Sequence, residues 1–168
     1  MGGGFHHSNR NSPGASRYGG GGSGNSTLGG SSDGGNSKPR VFISFHVEDE
    51  NQVELLRQQA KDPRFKLEFT DYSVKEPFDE KWKTQCTERI KQSSVVVVAI
   101  GKDTHQREAV LWEIQKAYEL GKPVIGMRIY KDANHTIPKL MRDHNARIVP
   151  WKVEELQKEL DKNKKTDN

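Results

Sequence analysis

The feature of this sequence that most constrains its fold is a run of six apolar residues, VVVVAI, at positions 95–100. Five of the six are β-branched, and β-branched residues favour strands. Because the run contains no polar position, neither face of the strand can lie in water. A strand covered on both faces is typical of the centre of a parallel sheet with a layer of helices on each side.

Strand and helix patterns alternate along the rest of the chain. The predicted strands are residues 40–45, 67–72, 95–100, 123–130 and 147–151, and the predicted helices are residues 48–64, 78–90, 107–120 and 153–160. This alternation predicts an α/β fold of the flavodoxin-like kind, with a parallel sheet of about five strands flanked by helices on both faces. In such sheets ligands bind beyond the carboxyl ends of the strands.

The first part of the chain has a different composition from the rest. Thirteen of the sixteen glycines lie before position 38, and serine and asparagine fill much of the space between them. Such a stretch has little apolar surface to offset its ordering entropy. We therefore predict a disordered glycine- and serine-rich tail over residues 1–38, one domain over residues 39–161 and a flexible C-terminus over residues 162–168.

Composition also excludes several functions. The formal net charge is +4, with both signs interspersed after the tail, so nucleic-acid binding is not expected. Cys86 is the one cysteine, which rules out an intramolecular disulfide. No apolar run has the length of a membrane span, so we expect a cytoplasmic protein. Glycine loops for phosphates and cysteine–histidine spacing for metals are both missing, so neither a cofactor nor a metal is predicted.

The side chain that stands out chemically is Glu113, on the predicted helix 107–120. At about 100° per residue it lies about 60° from Val110 on the side away from Ile114, at the margin of the buried stripe. A carboxyl group there is partly shielded from water, which disfavours its charged form and makes it a candidate functional group. The alternative is an ordinary boundary glutamate that reaches solvent.

Several short motifs resemble TIR domains. Ile43-Ser-Phe-His46 is similar to the signature of the first TIR strand, and Gly101-Lys-Asp-Thr104 and Asp71-Tyr-Ser73 also have counterparts. The longest similarity begins at Glu113, where EIQKAYELGKPVI resembles the TIR pattern E-I-x-x-A-x-x-x-G-K-x-[IV]-[IV]. The resemblance covers roughly residues 39–152 and extends to the TIR-like proteins of bacteria and archaea, including the TIR subunits of Thoeris anti-phage systems.

The resemblance implies an enzyme that cleaves the nicotinamide–ribose bond of NAD, with NAD as substrate and no separate cofactor. It implies Glu113 as the catalytic residue, in contact with the ribose hydroxyls. The substrate-binding residues that it implies are Ser44, Phe45, His46, Thr104 and Trp112, with Phe45 stacking on a flat ring. It further implies contacts between TIR domains, with loop 73–80 as the contact segment. Some enzymes of this kind convert ADP-ribose into a cyclic signal for an effector protein, so such a partner is also expected.

Two alternatives stay open. Many TIR enzymes have a tryptophan four residues before the glutamate, and here that position is Ala109. This departure favours a non-catalytic interaction module of the same fold. Nucleoside N-glycosidic transferases share the architecture and provide the second alternative. Cys86 and Trp82 lie in an apolar helical stripe, so core packing is their simplest interpretation. For His46, the alternative to a functional role is an ordinary histidine in a loop.

Overall fold

A computed structural model describes residues 38–70 and 78–166. Five parallel strands form one sheet, β1 (Arg40–Ser44), β2 (Glu68–Phe69), β3 (Val95–Ile100), β4 (Val124–Arg128) and β5 (Arg147–Val149). Their order across the sheet is β2-β1-β3-β4-β5, the order of a doubly wound flavodoxin-like fold. The predicted fold class is therefore confirmed.

Five helices connect and cover the strands. They are α1 (Glu50–Ala60), α2 (Glu80–Gln92), α3 (Glu108–Glu119), α4 (Lys139–Asp143) and α5 (Val153–Thr166). Short 3-10 turns precede α1 and α3. The N-terminus of α2 is capped by Asp79, whose side chain accepts a hydrogen bond from the Trp82 backbone N–H at 2.8 Å.

α3 ends at Glu119, one residue before the predicted end at position 120. Gly121 has a φ of 66°, a left-handed conformation that glycine adopts without a steric cost. The backbone N–H groups of Gly121 and Lys122 donate to the carbonyls of Tyr118 and Ala117 at 3.0 and 2.9 Å. This pair of bonds is a Schellman motif, which satisfies carbonyls at the helix end and turns the chain into β4.

The apolar core has two layers, one on each face of the sheet. The α1–α5 layer contains Val53, Leu56 and Ala60 from α1 and Val153, Leu156 and Leu160 from α5, packed on the odd-numbered residues of β1. The α2–α3 layer contains Trp82, Cys86 and Ile90 from α2 and Val110, Ile114 and Ala117 from α3. All six residues of β3 are buried, so the strand predicted from the apolar run is the central one.

Some predicted boundaries need correction. α5 continues to Thr166, so residues 162–166 are helical and the domain extends past the predicted boundary at 161. α4 was not predicted, because five residues are too short to show a helical period, although its Met141 is completely buried. The predicted tail up to residue 37 and the motif Asp71-Tyr-Ser73 lie outside the described residues.

Candidate active site

Glu113 lies inside the α2–α3 layer rather than at its margin. Its side chain is completely buried, with 0% exposure, in the second turn of α3. α3 contacts both β1 and α2, so its buried arc is wider than the apolar stripe alone indicates. The predicted partial shielding is thus corrected to complete burial, and the alternative of a boundary glutamate in contact with water does not hold in this structure.

Two uncharged side chains hold the Glu113 carboxyl group. Ser44, the last residue of β1, donates a hydrogen bond from its Oγ to Oε2. Cys86, in the middle of α2, donates from its Sγ to Oε1 at 3.7 Å. Each carboxyl oxygen therefore has one partner, and the two partners come from different elements. Ser44 places the group near the carboxyl end of β1, beside the β1–β3 boundary where the strand order reverses and where ligands of such folds bind.

Burial has a large effect on the proton affinity of this group. It raises the pKa of Glu113 from 4.5 to about 8, while the hydrogen bonds from Ser44 and Cys86 oppose the rise. Desolvation penalises the carboxylate more than two neutral donors can compensate. At pH 7 the carboxyl group is consequently protonated in most molecules of this closed structure.

An aromatic cluster occupies the same layer. The rings of Phe78, Trp82 and Trp112 lie edge-on or tilted to one another, with centroid distances of 4.9, 5.3 and 6.1 Å. Lys83 and Lys116 lie over the Phe78 and Trp112 rings at 4.7 and 5.5 Å, at distances suited to cation–π contacts. Trp112 is half-buried in this layer and directly precedes Glu113 in the chain.

The other predicted binding residues lie apart from this group. Phe45 is 4% exposed and belongs to the α1–α5 layer, on the opposite face of the sheet, because side chains alternate along β1. Thr104 is completely buried and closes a turn, accepting from the Gly101 N–H at 2.8 Å and donating to the Ala99 carbonyl at 3.2 Å. In this geometry the Thr104 hydroxyl stabilises the turn that follows β3.

His46 lies at the carboxyl edge of the sheet. It is partly exposed just beyond β1, and its Nε2 is 3.7 Å from a carboxylate oxygen of Glu48. It thus stays at the carboxyl edge of the sheet, where a ligand can reach it. The structure brings together Glu113 and Ser44, with Trp112 adjacent, but it does not bring Phe45 or Thr104 into that group.

Sequence reasoning missed a polar contact at the same edge. Tyr130 donates its hydroxyl to Oδ1 of the buried Asp49 at 2.8 Å. Burial, and then the bond to Asp49, raises the pKa of Tyr130 to about 12. A Cβ at Gly101 would lie 2.2 Å from Oδ2 of Asp49, so only glycine allows this carboxylate to pack on the end of β3. In the sequence, the glycine that directly follows the apolar run 95–100 was the signal that could have indicated this close contact.

A large cavity lies elsewhere. A volume of about 910 Å³ opens beside the edge strand β2, between α1 and the end of α2. Among its lining residues are Arg40, Lys61, Phe65 and Glu68, and Glu113 is not one of them. We give the buried acid more weight than this open groove, because a desolvated ionisable group is the rarer feature and costs stability. Within the described residues, no group of histidine, cysteine, aspartate and glutamate side chains could hold a metal ion.

Comparison with protein families supplies the classification. The family model of the TIR-like domain of the Thoeris protein ThsB matches residues 42–134, which is more than half of the chain and includes Ser44, Cys86 and Glu113. The chain belongs to the family of ThsB TIR-like domains. The resemblance found in the sequence motifs is thereby confirmed.

Solved structures resemble this TIR-like domain at low identity. A CMP N-glycosidase, BcmB, from Clostridium botulinum is 17% identical, with a TM-score of 0.48, covering 73% of this chain and 98% of that one. The TIR domain of the Toll-related receptor TRR-2 from Hydra magnipapillata is 16% identical, with a TM-score of 0.49, covering 76% and 95%. A conserved protein from Enterococcus faecalis V583 is 17% identical, with a TM-score of 0.46, covering 74% and 98%. At these scores the three structures carry no argument about substrate.

No curated protein matches the sequence. Among the described helices of this TIR-like domain, none combines the length and the apolar character that crossing a membrane requires.

Proposed function

We propose that this TIR-like domain cleaves the bond between nicotinamide and ribose in NAD, with the carboxylate of Glu113 as the catalytic group. The observation that carries the proposal is a completely buried carboxyl group beside the end of β1, held by two neutral donors. An apolar side chain of similar size would stabilise the core more, because a buried ionisable group costs free energy. Groups retained at such a cost are concentrated at functional sites.

The chemistry suits a single acid. In NAD the nicotinamide nitrogen is part of a cationic ring, so when the C1′–N bond breaks, the bonding electrons neutralise that nitrogen. No proton has to be delivered to the leaving group. The ribose is left as an oxocarbenium-like cation, which a nearby carboxylate stabilises electrostatically while it orients the ribose hydroxyls. Water then attacks C1′ and loses a proton, or a nitrogen of the adenine attacks instead and gives a cyclic product.

The raised pKa fits this role. Glu113 has to be ionised to stabilise a cation, and the closed structure favours its neutral form. The cationic nicotinamide ring favours the carboxylate when NAD binds, because an opposite charge nearby lowers the pKa of an acid. Substrate binding therefore promotes the ionisation that the reaction needs. As a result, the midpoint of the pH profile of kcat should lie at a lower pH than the midpoint of the kcat/KM profile.

Access to Glu113 requires a movement of the packed layer. Its zero exposure means that the ribose reaches the carboxylate only if α2 and α3 separate near the aromatic cluster of Phe78, Trp82 and Trp112. Trp112 is half-buried already and can offer a flat ring to the substrate. Such opening is a common property of enzymes that exclude water from the reacting atoms.

The biological setting that we propose follows from the family. The domain would act in the cytoplasm in anti-phage defence, and its nucleotide product would activate an effector protein. Contacts between TIR domains would bring copies together and control activity.

One observation favours a second candidate function. Glu113 has no exposed surface and does not line the large cavity of about 910 Å³, and Ala109 replaces the tryptophan that many TIR enzymes carry. Both features fit a TIR-like module that binds other proteins and has lost catalysis.

Release of nicotinamide from NAD separates the two candidates. The experiment compares wild type with Glu113→Gln, which keeps the shape of the side chain, and with Glu119→Gln, the same change at an exposed position of α3. We expect Glu113→Gln to lose at least about 100-fold in rate and Glu119→Gln to be unchanged. Protein concentration is varied so that self-association is sampled. Equal activity in wild type and Glu113→Gln, or no release by wild type at any concentration, rejects the proposal. Release of a base from nucleosides instead would identify the N-glycosidic alternative.

A further inference from the structure

The second partner of the buried acid is a cysteine. Cys86 is completely buried in the middle of α2, and its Sγ is 3.7 Å from Oε1 of Glu113. Trp82 and Ile90, one turn away on either side, lie in the apolar layer, as the helical stripe predicts. Cys86 belongs to that stripe, and its thiol also contacts the acid.

We infer that Cys86 is a positioning residue for the proposed reaction, holding Oε1 of Glu113 while Ser44 holds Oε2. This inference rests on the proposed function. The two contacts come from β1 and α2, so together they fix the carboxyl plane relative to both elements. The acid itself is on α3, and the geometry therefore depends on the packing of three elements.

A thiol suits this position in both protonation states of the acid. Its S–H is a weak donor and its sulfur is a weak acceptor. When Glu113 is ionised, the thiol donates to Oε1. When Glu113 is protonated on Oε1, the same oxygen can donate its proton to the sulfur. A weak donor also leaves the acid with a high proton affinity, so that ionisation is promoted by the substrate rather than by the resting protein.

The surroundings of Glu113 allow the influence of Cys86 on its ionisation to be measured separately. Burial raises the pKa of Glu113, and the hydrogen bonds from Ser44 on β1 and Cys86 on α2 lower it. Among the residues that the structure describes, no charged side chain contributes to that shift. A change in the donor at position 86 should therefore appear directly in the ionisation of Glu113.

The experiment uses the pair Cys86→Ser and Cys86→Ala in the full chain. The two new side chains have nearly the same volume, so packing losses are alike and the difference between the variants reports the hydrogen bond alone. We expect Cys86→Ala to shift the kcat/KM profile for nicotinamide release to higher pH and to lower the rate at pH 7 about threefold. Cys86→Ser, which supplies a stronger donor, should shift the profile to lower pH than Cys86→Ala.

A purely structural role for Cys86 predicts something else. Both variants would then lose similar stability, and their pH profiles would coincide with that of the wild type once the folded fraction is taken into account. That outcome, or a shift to lower pH in Cys86→Ala, overturns the inference. If the smaller side chain prevents folding, Cys86→Val fills the space without a donor and has the same expected direction as Cys86→Ala.

A second measurement separates this inference from the proposed function. Carbon-13 NMR of the glutamate carboxyl groups follows the ionisation of Glu113 without any turnover, and Glu113→Gln identifies its signal. The ionisation midpoint should be higher in Cys86→Ala than in Cys86→Ser, and equal midpoints contradict the inference. If Glu113→Gln keeps full activity, the proposed function fails. If Glu113→Gln is inactive but the Cys86 variants share one pH profile, only the role of Cys86 fails.

Discussion

The two faces of the sheet have the same architecture but different contents. In the α1–α5 layer, the helices pack apolar residues on the sheet, and the buried Glu159 of α5 is ion-paired with Arg147 and Lys162. In the α2–α3 layer, the equivalent space also contains Ser44, Cys86 and the completely buried Glu113. Both layers bury apolar side chains that stabilise the fold. The α2–α3 layer also carries a buried ionisable group held by neutral donors, which costs free energy and is the candidate for chemistry.

The largest effect on stability is expected in the apolar layer. Leu56 is completely buried between α1 and the sheet. Leu56→Ala removes apolar contacts and leaves a cavity, so we expect the free energy of unfolding to fall by roughly 2–5 kcal/mol. Urea denaturation measures this change. Leu55 is the matched control, because it is 50% exposed on the same helix.

Leu55→Ala should change the free energy of unfolding by no more than about 0.5 kcal/mol. A loss at Leu55 equal to that at Leu56 would show that the packing of this layer does not determine stability.

In the α2–α3 layer, Glu113→Gln should increase the free energy of unfolding rather than decrease it. The pKa of Glu113 is raised in the folded state, so between the unfolded value of 4.5 and about 8 the folded protein binds more protons than the unfolded chain. The free energy of unfolding of wild type should therefore decrease as the pH rises through this window, by up to about 1.4 kcal/mol per pH unit. Above about 8 the contribution is constant.

The amide of Glu113→Gln does not titrate, so the variant should lack this dependence and be more stable than wild type by about 1–3 kcal/mol at pH 8. Urea denaturation of both proteins at several pH values tests the claim. Parallel pH dependences in the two proteins would mean that Glu113 has an ordinary pKa and that the two layers do not differ in this respect.

The smallest expected effect concerns substrate binding. Trp112 lies on the face of Glu113, and Phe45 lies on the opposite face. Trp112→Leu should raise KM for NAD about two- to tenfold through loss of stacking, while Phe45→Leu should leave KM unchanged and lower only stability. Steady-state kinetics of nicotinamide release measures KM for both variants. A higher KM in Phe45→Leu alone would favour the substrate role that the family resemblance implies for Phe45.

The fold could be predicted from the sequence because its elements follow simple periods. The apolar run 95–100 identified the central strand, and the predicted helix 107–120 corresponds to α3. α4 escaped prediction because a helix of five residues shows no period, and its buried Met141 is recognisable only once the α2–α3 layer is assembled. The end of α5 was placed too early, since its last turns are mainly polar.

The site could be predicted only in part. The position of Glu113 on its helix was readable from the angle between residues, but its depth depends on α2, which packs across it from a distant part of the sequence. The contact with Cys86 has the same origin, because position 86 shows only an apolar stripe in the sequence. The family resemblance implied Phe45 as a substrate-binding residue together with its neighbour Ser44. In a strand, however, adjacent side chains point to opposite faces.

The central claim is that Glu113 is a buried acid that acts as a carboxylate, and the pH dependence of kcat/KM for nicotinamide release from NAD tests it most directly. The account predicts that kcat/KM rises about tenfold per pH unit below a midpoint near 8 and becomes constant above it, because the free protein must lose the Glu113 proton. The same profile in Glu113→Gln, or a wild-type rate that is constant between pH 6 and about 9, would contradict the account.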